Sequence, residues 1–160
     1  NMSSTLSGGC HCGAVRYEAK VESHEAYYCH CRMCQRSFGN IFATFFNLPK
    51  AAVKWTTHAP KYFHSSKIAQ RGFCGECGTP LSFEYHDSER MDLSVGSLDD
   101  PEQMKPVSHF AAEYRIASFH TPDGLPDEAI DSNAKINARW KQAYAEETPP
   151  GPLRAYKKHQ

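Results

Sequence analysis

The sequence offers little to a strongly charged or membrane partner. No run of Lys or Arg occurs, and eighteen basic residues balance eighteen acidic ones to a formal charge of zero. Without a basic face there is nothing to hold a phosphate backbone, so nucleic acid is not expected as a partner. The longest apolar stretch, Ile41 to Leu48, is broken by Thr44 and Asn47 and falls far short of the roughly 20 residues of a membrane-spanning helix. Asn1-Met2-Ser3-Ser4-Thr5 has no apolar core and no cleavage signature, Asn1 reading as a residue added ahead of the start. We expect a soluble, cytoplasmic protein with no membrane partner. Repeats of solenoid type are absent as well.

What the sequence does have is grouped cysteine. Three of its seven thiols fall in Cys29-His30-Cys31-Arg32-Met33-Cys34. Residues i and i+2 of an extended backbone project to one face, so Cys29 and Cys31 converge while His30 points away. A turn after Cys31 brings Cys34 back to the same point, placing three sulfurs about 2.3 Å from one ion. One position of an ordinary zinc then stays open, which is where zinc proteins do chemistry. Other uses of these thiols are a disulfide, a redox pair with a bystander, or a structural site completed by a distant His. Disulfides belong to oxidising compartments. At 160 residues a chain can bury about two-thirds of its unfolded surface, so small size alone does not call for a metal.

Gly8-Gly9-Cys10-His11-Cys12-Gly13 carries a second Cys-x-Cys between glycines, and Cys74-Gly75-Glu76-Cys77-Gly78-Thr79 forms a Cys-x-x-Cys knuckle with a permissive residue at Gly78. The rest reads as short strands between tight turns. Ala14 to Ala19 alternates, Glu25 to Cys29 leads into the cluster, and Ile41 to Phe46 is dense in aromatic and β-branched residues. Ala52 to Thr56, Lys61 to His64, Ile68 to Phe73, Leu81 to Tyr85 and Met91 to Val95 continue the pattern of a mainly β, antiparallel fold. Arg32 to Phe38 predicts one or two helical turns stopped by Gly39-Asn40, and Asp99-Asp100-Pro101-Glu102 opens a short helix. Val107 to Phe119 is apolar and aromatic. Beyond Pro126, Ile136, Trp140 and Ala143 or Tyr144 form a helical stripe over Asp127 to Glu146, ended by Thr148 to Pro152, with Arg154 to Gln160 as a loose tail.

Several partitions of seven thiols are open. The one that keeps each local group intact pairs Cys10 and Cys12 with Cys74 and Cys77 as a four-thiolate structural zinc and leaves Cys29, Cys31 and Cys34 as a three-thiolate catalytic zinc, two ions per chain. Three thiolates leave the zinc centre formally at minus one, so it acidifies water less than a histidine site and suits a further soft ligand, a substrate thiol.

These blocks, together with Arg71-Gly72-Phe73 and Val95-Gly96-Ser97-Leu98-Asp99-Asp100-Pro101, resemble the glutathione-dependent formaldehyde-activating enzyme family, which includes centromere protein V. Four motifs occur in family order from Gly8 to about Pro126. The resemblance implies a β-tent of several small twisted antiparallel sheets with short helices and a C-terminal helix, similar to methionine sulfoxide reductase B. It implies the same partition of ligands, and condensation of glutathione with formaldehyde, a carbon-sulfur lyase run in reverse. It divides the chain into a zinc-binding domain, 1–126, and a helical extension and tail, 127–160, that packs on the same domain; dimer contact is another use for that helix. Gln35-Arg36 stands where two basic residues are common, and Phe119 where Trp is expected.

Among nine histidines, His11 and His30 are expected to face away from metal as polar surface residues. His64, His86, His109 and His120 are candidates for a fourth ligand or a general acid, with His109 first because it opens an apolar segment. Arg36 and Arg71 are expected to be solvated, or to meet a substrate carboxylate. Phe42, Phe45 and Phe46 read as core. Two functions stand side by side: a zinc enzyme joining a small thiol to an aldehyde, and a non-catalytic zinc-stabilised binding module.

Overall fold

A computed structural model describes residues 3–145; the expected helix end at Glu146 and everything after it lie outside the described residues. The mainly β architecture is there, in two sheets. The smaller has three antiparallel strands in the order β1-β2-β5: β1 (Ser4–Gly9), β2 (Arg16–Val21) and β5 (Val53–Trp55). The larger holds β3 (Glu25–Cys29), β4 (Ala43–Pro49), β6 (Lys61–His64), β7 (Ala69–Phe73), β8 (Pro80–Tyr85), β9 (Arg90–Ser94), β10 (Lys105–Phe110) and β11 (Asp127–Glu128). Its spatial order is β11-β10-β3-β4-β9-β8-β7-β6.

Two pairings depart from the expected antiparallel pattern, since β10 lies parallel to both β3 and β11. Parallel neighbours need long connections, and here each connection carries part of the site. β3 leads into α1 (Arg32–Phe38), which Gly39 ends at φ 58°, a left-handed position that glycine adopts without strain. The helix beyond Pro126 is shorter than expected. Asp127–Glu128 pairs as a strand, and α2 (Ala134–Ala143) starts only where the Asn133 side chain accepts a hydrogen bond from Ile136 N at 3.0 Å. The expected helix after Asp99 is a single 3-10 turn over Pro101–Gln103, capped by Asp100.

Strand alternation sorts the core into faces. On β4, Phe45 and Phe46 are each 1% exposed but turn opposite ways. Phe46 joins Tyr17, Met91, Leu93 and Leu98 between the two sheets. Phe45 joins Cys29, Cys31, Cys34, Ile136, Trp140 and Tyr144 on the outer face of the large sheet, where α2 closes over it. Phe42, expected in the core, is half-buried. Glu113 fixes the approach to α2 by accepting from the amides of Ile130 and Asp131 at 2.9 to 3.1 Å, and the Lys67 amide donates to Tyr144 Oη at 3.1 Å. No helix among the described residues is long and apolar enough to cross a membrane.

Candidate metal centres and a thiol cavity

All seven cysteines are free, and they meet in two groups within which the sulfurs lie no more than 4.8 Å apart. The first joins Cys10 and Cys12 to Cys74 and Cys77, with Cys10 Sγ 3.6 Å from Cys12 Sγ and Cys12 Sγ 3.8 Å from Cys74 Sγ. Its sulfurs receive backbone amides from their own turns: Val15 N on Cys10 at 3.2 Å, Glu76 N and Cys77 N on Cys74 at 3.4 and 3.5 Å. Gly78, at φ 79°, lets the knuckle close. Such amides are the usual company of thiolates, so the donor set suits a metal ion held by four sulfurs.

The second group is Cys29, Cys31 and Cys34, all buried. Tyr27 and Cys29 share a face of β3. Cys29 ends that strand, and Cys31 caps α1, its Sγ accepting from Cys34 N at 3.3 Å. The Gln35 amide then anchors the helix start to the carbonyls of His30 and Tyr114 at 2.7 and 3.1 Å. Arg71 Nη2 donates to Cys34 Sγ at 3.4 Å. Contacts from Cys29 and Cys31, aided by the Arg71 guanidinium and opposed by burial, hold the Cys34 thiol well below its ordinary range. Contacts from Cys31 and Cys34, together with burial, push Cys29 well above it. Sulfurs this close share one ionisation readily; ionising all three calls for a cation among them.

Arg71 corrects the expectation of a solvated charge. It is 3% exposed, its Nε and Nη1 have no hydrogen-bond partner, and its guanidinium lies 4.8 Å over the Phe83 ring. A buried cation with two idle donors beside a cluster of sulfurs answers the net negative charge that three thiolates around a divalent metal would carry. The residues present therefore fit a metal ion in each group.

The three thiols open onto a cavity of about 570 Å³, lined by Tyr27, Phe45, Phe83, Tyr85, Phe110 and Ile136 together with Arg71 and Asp92. A sequence profile described as glutathione-dependent formaldehyde-activating enzyme matches residues 5–113. The chain belongs to that family. A Schizosaccharomyces pombe protein named as an uncharacterized lyase is 36% identical over 78 residues, which cover 49% of this chain and 56% of that one; the chain thus spans little more than half the length of that relative. A crystal structure of a Rhodobacter sphaeroides protein superposes with a TM-score of 0.52 at 19% identity, covering 76% of this chain and 99% of that one, a likeness of fold.

Against this family background the histidines separate. His11 is exposed, as expected. His30 does face away from the sulfurs, yet it is 3% exposed rather than on the surface, because its Nε2 meets His109 Nδ1 at 2.8 Å and His109 Nε2 meets Asp123 at 2.8 Å. Burial and the His109 ring lower the His30 pKa to about 4. The expected fourth ligand or general acid, His109, thus has both ring nitrogens engaged, and it lines a smaller cavity with Tyr28, Phe42 and His120. His64 and His86 pair with each other at 3.3 Å. Arg36 is exposed on α1, and Phe119 is 68% exposed. Asp92, Tyr27 and Gln35 were not among the candidates from sequence. The one signal for them was Asp92 itself, an acid between Met91 and Leu93 in an alternating strand.

Proposed function

We propose that the chain is a zinc-dependent carbon-sulfur lyase acting in the synthetic direction, which binds a small thiol, glutathione or a similar one, at Cys29, Cys31 and Cys34 and adds it to an aldehyde such as formaldehyde. Cys10, Cys12, Cys74 and Cys77 are assigned to a second, structural zinc. The observation that carries this assignment is the contrast between a four-thiol group built into turns and a buried three-thiol group that borders a cavity. Zinc held there would supply positive charge that favours the ionised form of a guest thiol.

The chain's own residues supply the remaining chemistry. A free thiol with pKa near 8.5 is only about 3% thiolate at pH 7, so full ionisation is worth about 2 kcal/mol. Holding sulfur and carbonyl carbon together is worth more, several kcal/mol in well-oriented cases. The aromatic walls exclude water from the guest, and Arg71 offers two idle donors to negative charge that develops beside Cys34. Segment 127–145 is assigned to the same domain as a cap, because Ile136 forms part of the cavity wall. Free thiols throughout suit a reducing compartment and hence the cytoplasm.

The test compares formation of S-(hydroxymethyl)glutathione from glutathione and formaldehyde without protein, with wild type and with Cys31→Ser. Acceleration by wild type that Cys31→Ser abolishes is the expected result. Three equal rates would leave the binding module in its place.

A further inference from the structure

The thiol cavity contains one carboxyl group whose surroundings are unusual. Asp92 lies on β9 between Met91 and Leu93, which turn into the core between the sheets, so alternation delivers its side chain to the cavity face. It is 7% exposed and stands opposite Asn47 on β4 and Phe83 on β8. Tyr27 Oη donates to it at 2.9 Å and Asn47 Nδ2 at 3.2 Å, and both bonds end on Oδ1. No other hydrogen bond or ion pair holds this carboxyl among the described residues: Arg90, on the same strand, donates its Nε to Asn47 instead. One carboxyl oxygen is fixed by two donors, and Oδ2 is left to exchange a proton with a guest.

We infer that Asp92 is the proton carrier of the thiol-aldehyde reaction, taking the proton of the incoming thiol and returning it to the carbonyl oxygen as the carbon-sulfur bond forms. This rests on the function proposed above. The S–H bond breaks and its proton goes to Asp92 Oδ2. The sulfur electron pair forms the C–S bond, the π pair of the carbonyl moves to oxygen, and that oxygen takes the proton back. The carboxylate is restored and nothing is oxidised or reduced.

The electrostatic setting matches this role. Burial raises the Asp92 pKa to about 6, against the Tyr27 and Asn47 hydrogen bonds, with Cys34 of α1 raising it further and Arg90 lowering it. Cys29 on β3, Arg71 on β7 and Tyr85 on β8 border the same cavity. A carboxyl poised near neutrality can act as base and then as acid at one pH.

The experiment titrates glutathione into the zinc-loaded wild type and Asp92→Asn proteins by calorimetry in two buffers of different ionisation enthalpy, which reads the protons released per thiol bound. Below the thiol pKa of about 8.5, each thiol that binds as thiolate sheds about one proton. A thiolate bound beside Asp92 raises the carboxyl further, so wild type is expected to release clearly less than one between about pH 6 and 7 and about one near pH 5, where Asp92 is already protonated. Asp92→Asn is expected to release about one throughout, and to lose about 100-fold in turnover with formaldehyde while retaining zinc content and thiol affinity. Equal release by the two proteins, or turnover unchanged in the variant, would overturn the role. Should the variant not fold, a wild-type profile flat at one proton overturns it alone. A wild type that binds no thiol overturns the proposed function and this role together. One that binds thiol with the dip, but leaves formaldehyde untouched, overturns only the aldehyde partner and supports Asp92 as the base of the thiol.

Discussion

The two sulfur groups are made of the same residue, and they are held by different means. In the four-thiol group the sulfurs sit in the turns that carry them and are met by backbone amides of Val15, Glu76 and Cys77. Two of its four cysteines, Cys12 and Cys77, are exposed. In the three-thiol group every sulfur is buried, Cys31 Sγ is met by the Cys34 amide but Cys34 Sγ by a side-chain cation, and the cluster faces a cavity. Backbone donors come with the turn and commit the site to architecture. A side-chain donor is separable from the fold, so charge at the second site can be set for chemistry without rebuilding the chain.

The largest expected effect comes from that contrast. Cys74 is 1% exposed and joins β7 and β8 to the loop that links β1 with β2. Structural zinc contributes about 10 to 16 kcal/mol in small peptides, comparable to the whole net stability of a domain. Cys74→Ser is expected to leave no cooperative unfolding transition, or to lower Tm by more than about 15 °C. Cys31→Ser is expected to cost only a few degrees while metal content falls from about two ions per chain to one. Thermal unfolding with metal analysis checks both, and similar losses of stability in the two variants would erase the distinction.

Legibility in the sequence divides along the same line. The local thiol groups and the ends of β3 and α1 come from local spacing, since Cys-x-Cys projects to one face and Gly39 stops a helix, whereas the meeting of Cys10 and Cys12 with Cys74 and Cys77 is a long-range contact that spacing leaves open. β1 was missed because its six residues, Ser4 to Gly9, include a single large apolar side chain, Leu6. β11 is two residues long and pairs in parallel with β10, the strand before it, and two residues leave no periodic mark. Asn133 was a readable cap, but the helical stripe drew the predicted start back to Asp127. Arg71 and Asp92 were unreadable as site residues for a common reason. Each sits on a strand whose polar-looking face is covered by α1, α2 and the aromatic wall, and burial of that kind is decided by distant partners.

Arg71 gives the next test of the comparison. Arg71→Met keeps much of the apolar volume and removes the charge, and loss of a supporting contact around a metal typically costs 10- to 100-fold in affinity. Competition with a chromogenic chelator is expected to show a loss of about that size for one ion and unchanged affinity for the other. Stability should change little, because an apolar replacement of a buried charge is often neutral. Equal weakening of both ions would mean that Arg71 supports the fold rather than the cluster.

The smallest effect probes the side of the molecule remote from the cavity. Arg16 on β2 forms a two-pronged ion pair with Asp99, Nη1 to Oδ1 at 2.8 Å and Nη2 to Oδ2 at 2.5 Å, joining the small sheet to the loop after β9. The Arg16 hydrogen bonds hold the Asp99 carboxyl below its usual pKa. Because the folded value lies below the unfolded one, this stabilisation is present above about pH 4 and is lost as pH falls through the folded value. The pair is substantially exposed, with side chains 34% and 51% accessible, so screening keeps its worth under about 1 kcal/mol. Asp99→Asn is expected to lower Tm by no more than about 4 °C at pH 7, less in high salt, and to leave both metal ions in place. A loss of the four-thiol metal in this variant would place that centre under the control of surface charge, and the contrast between the group set in its turns and the group met by a buried cation would have to be redrawn.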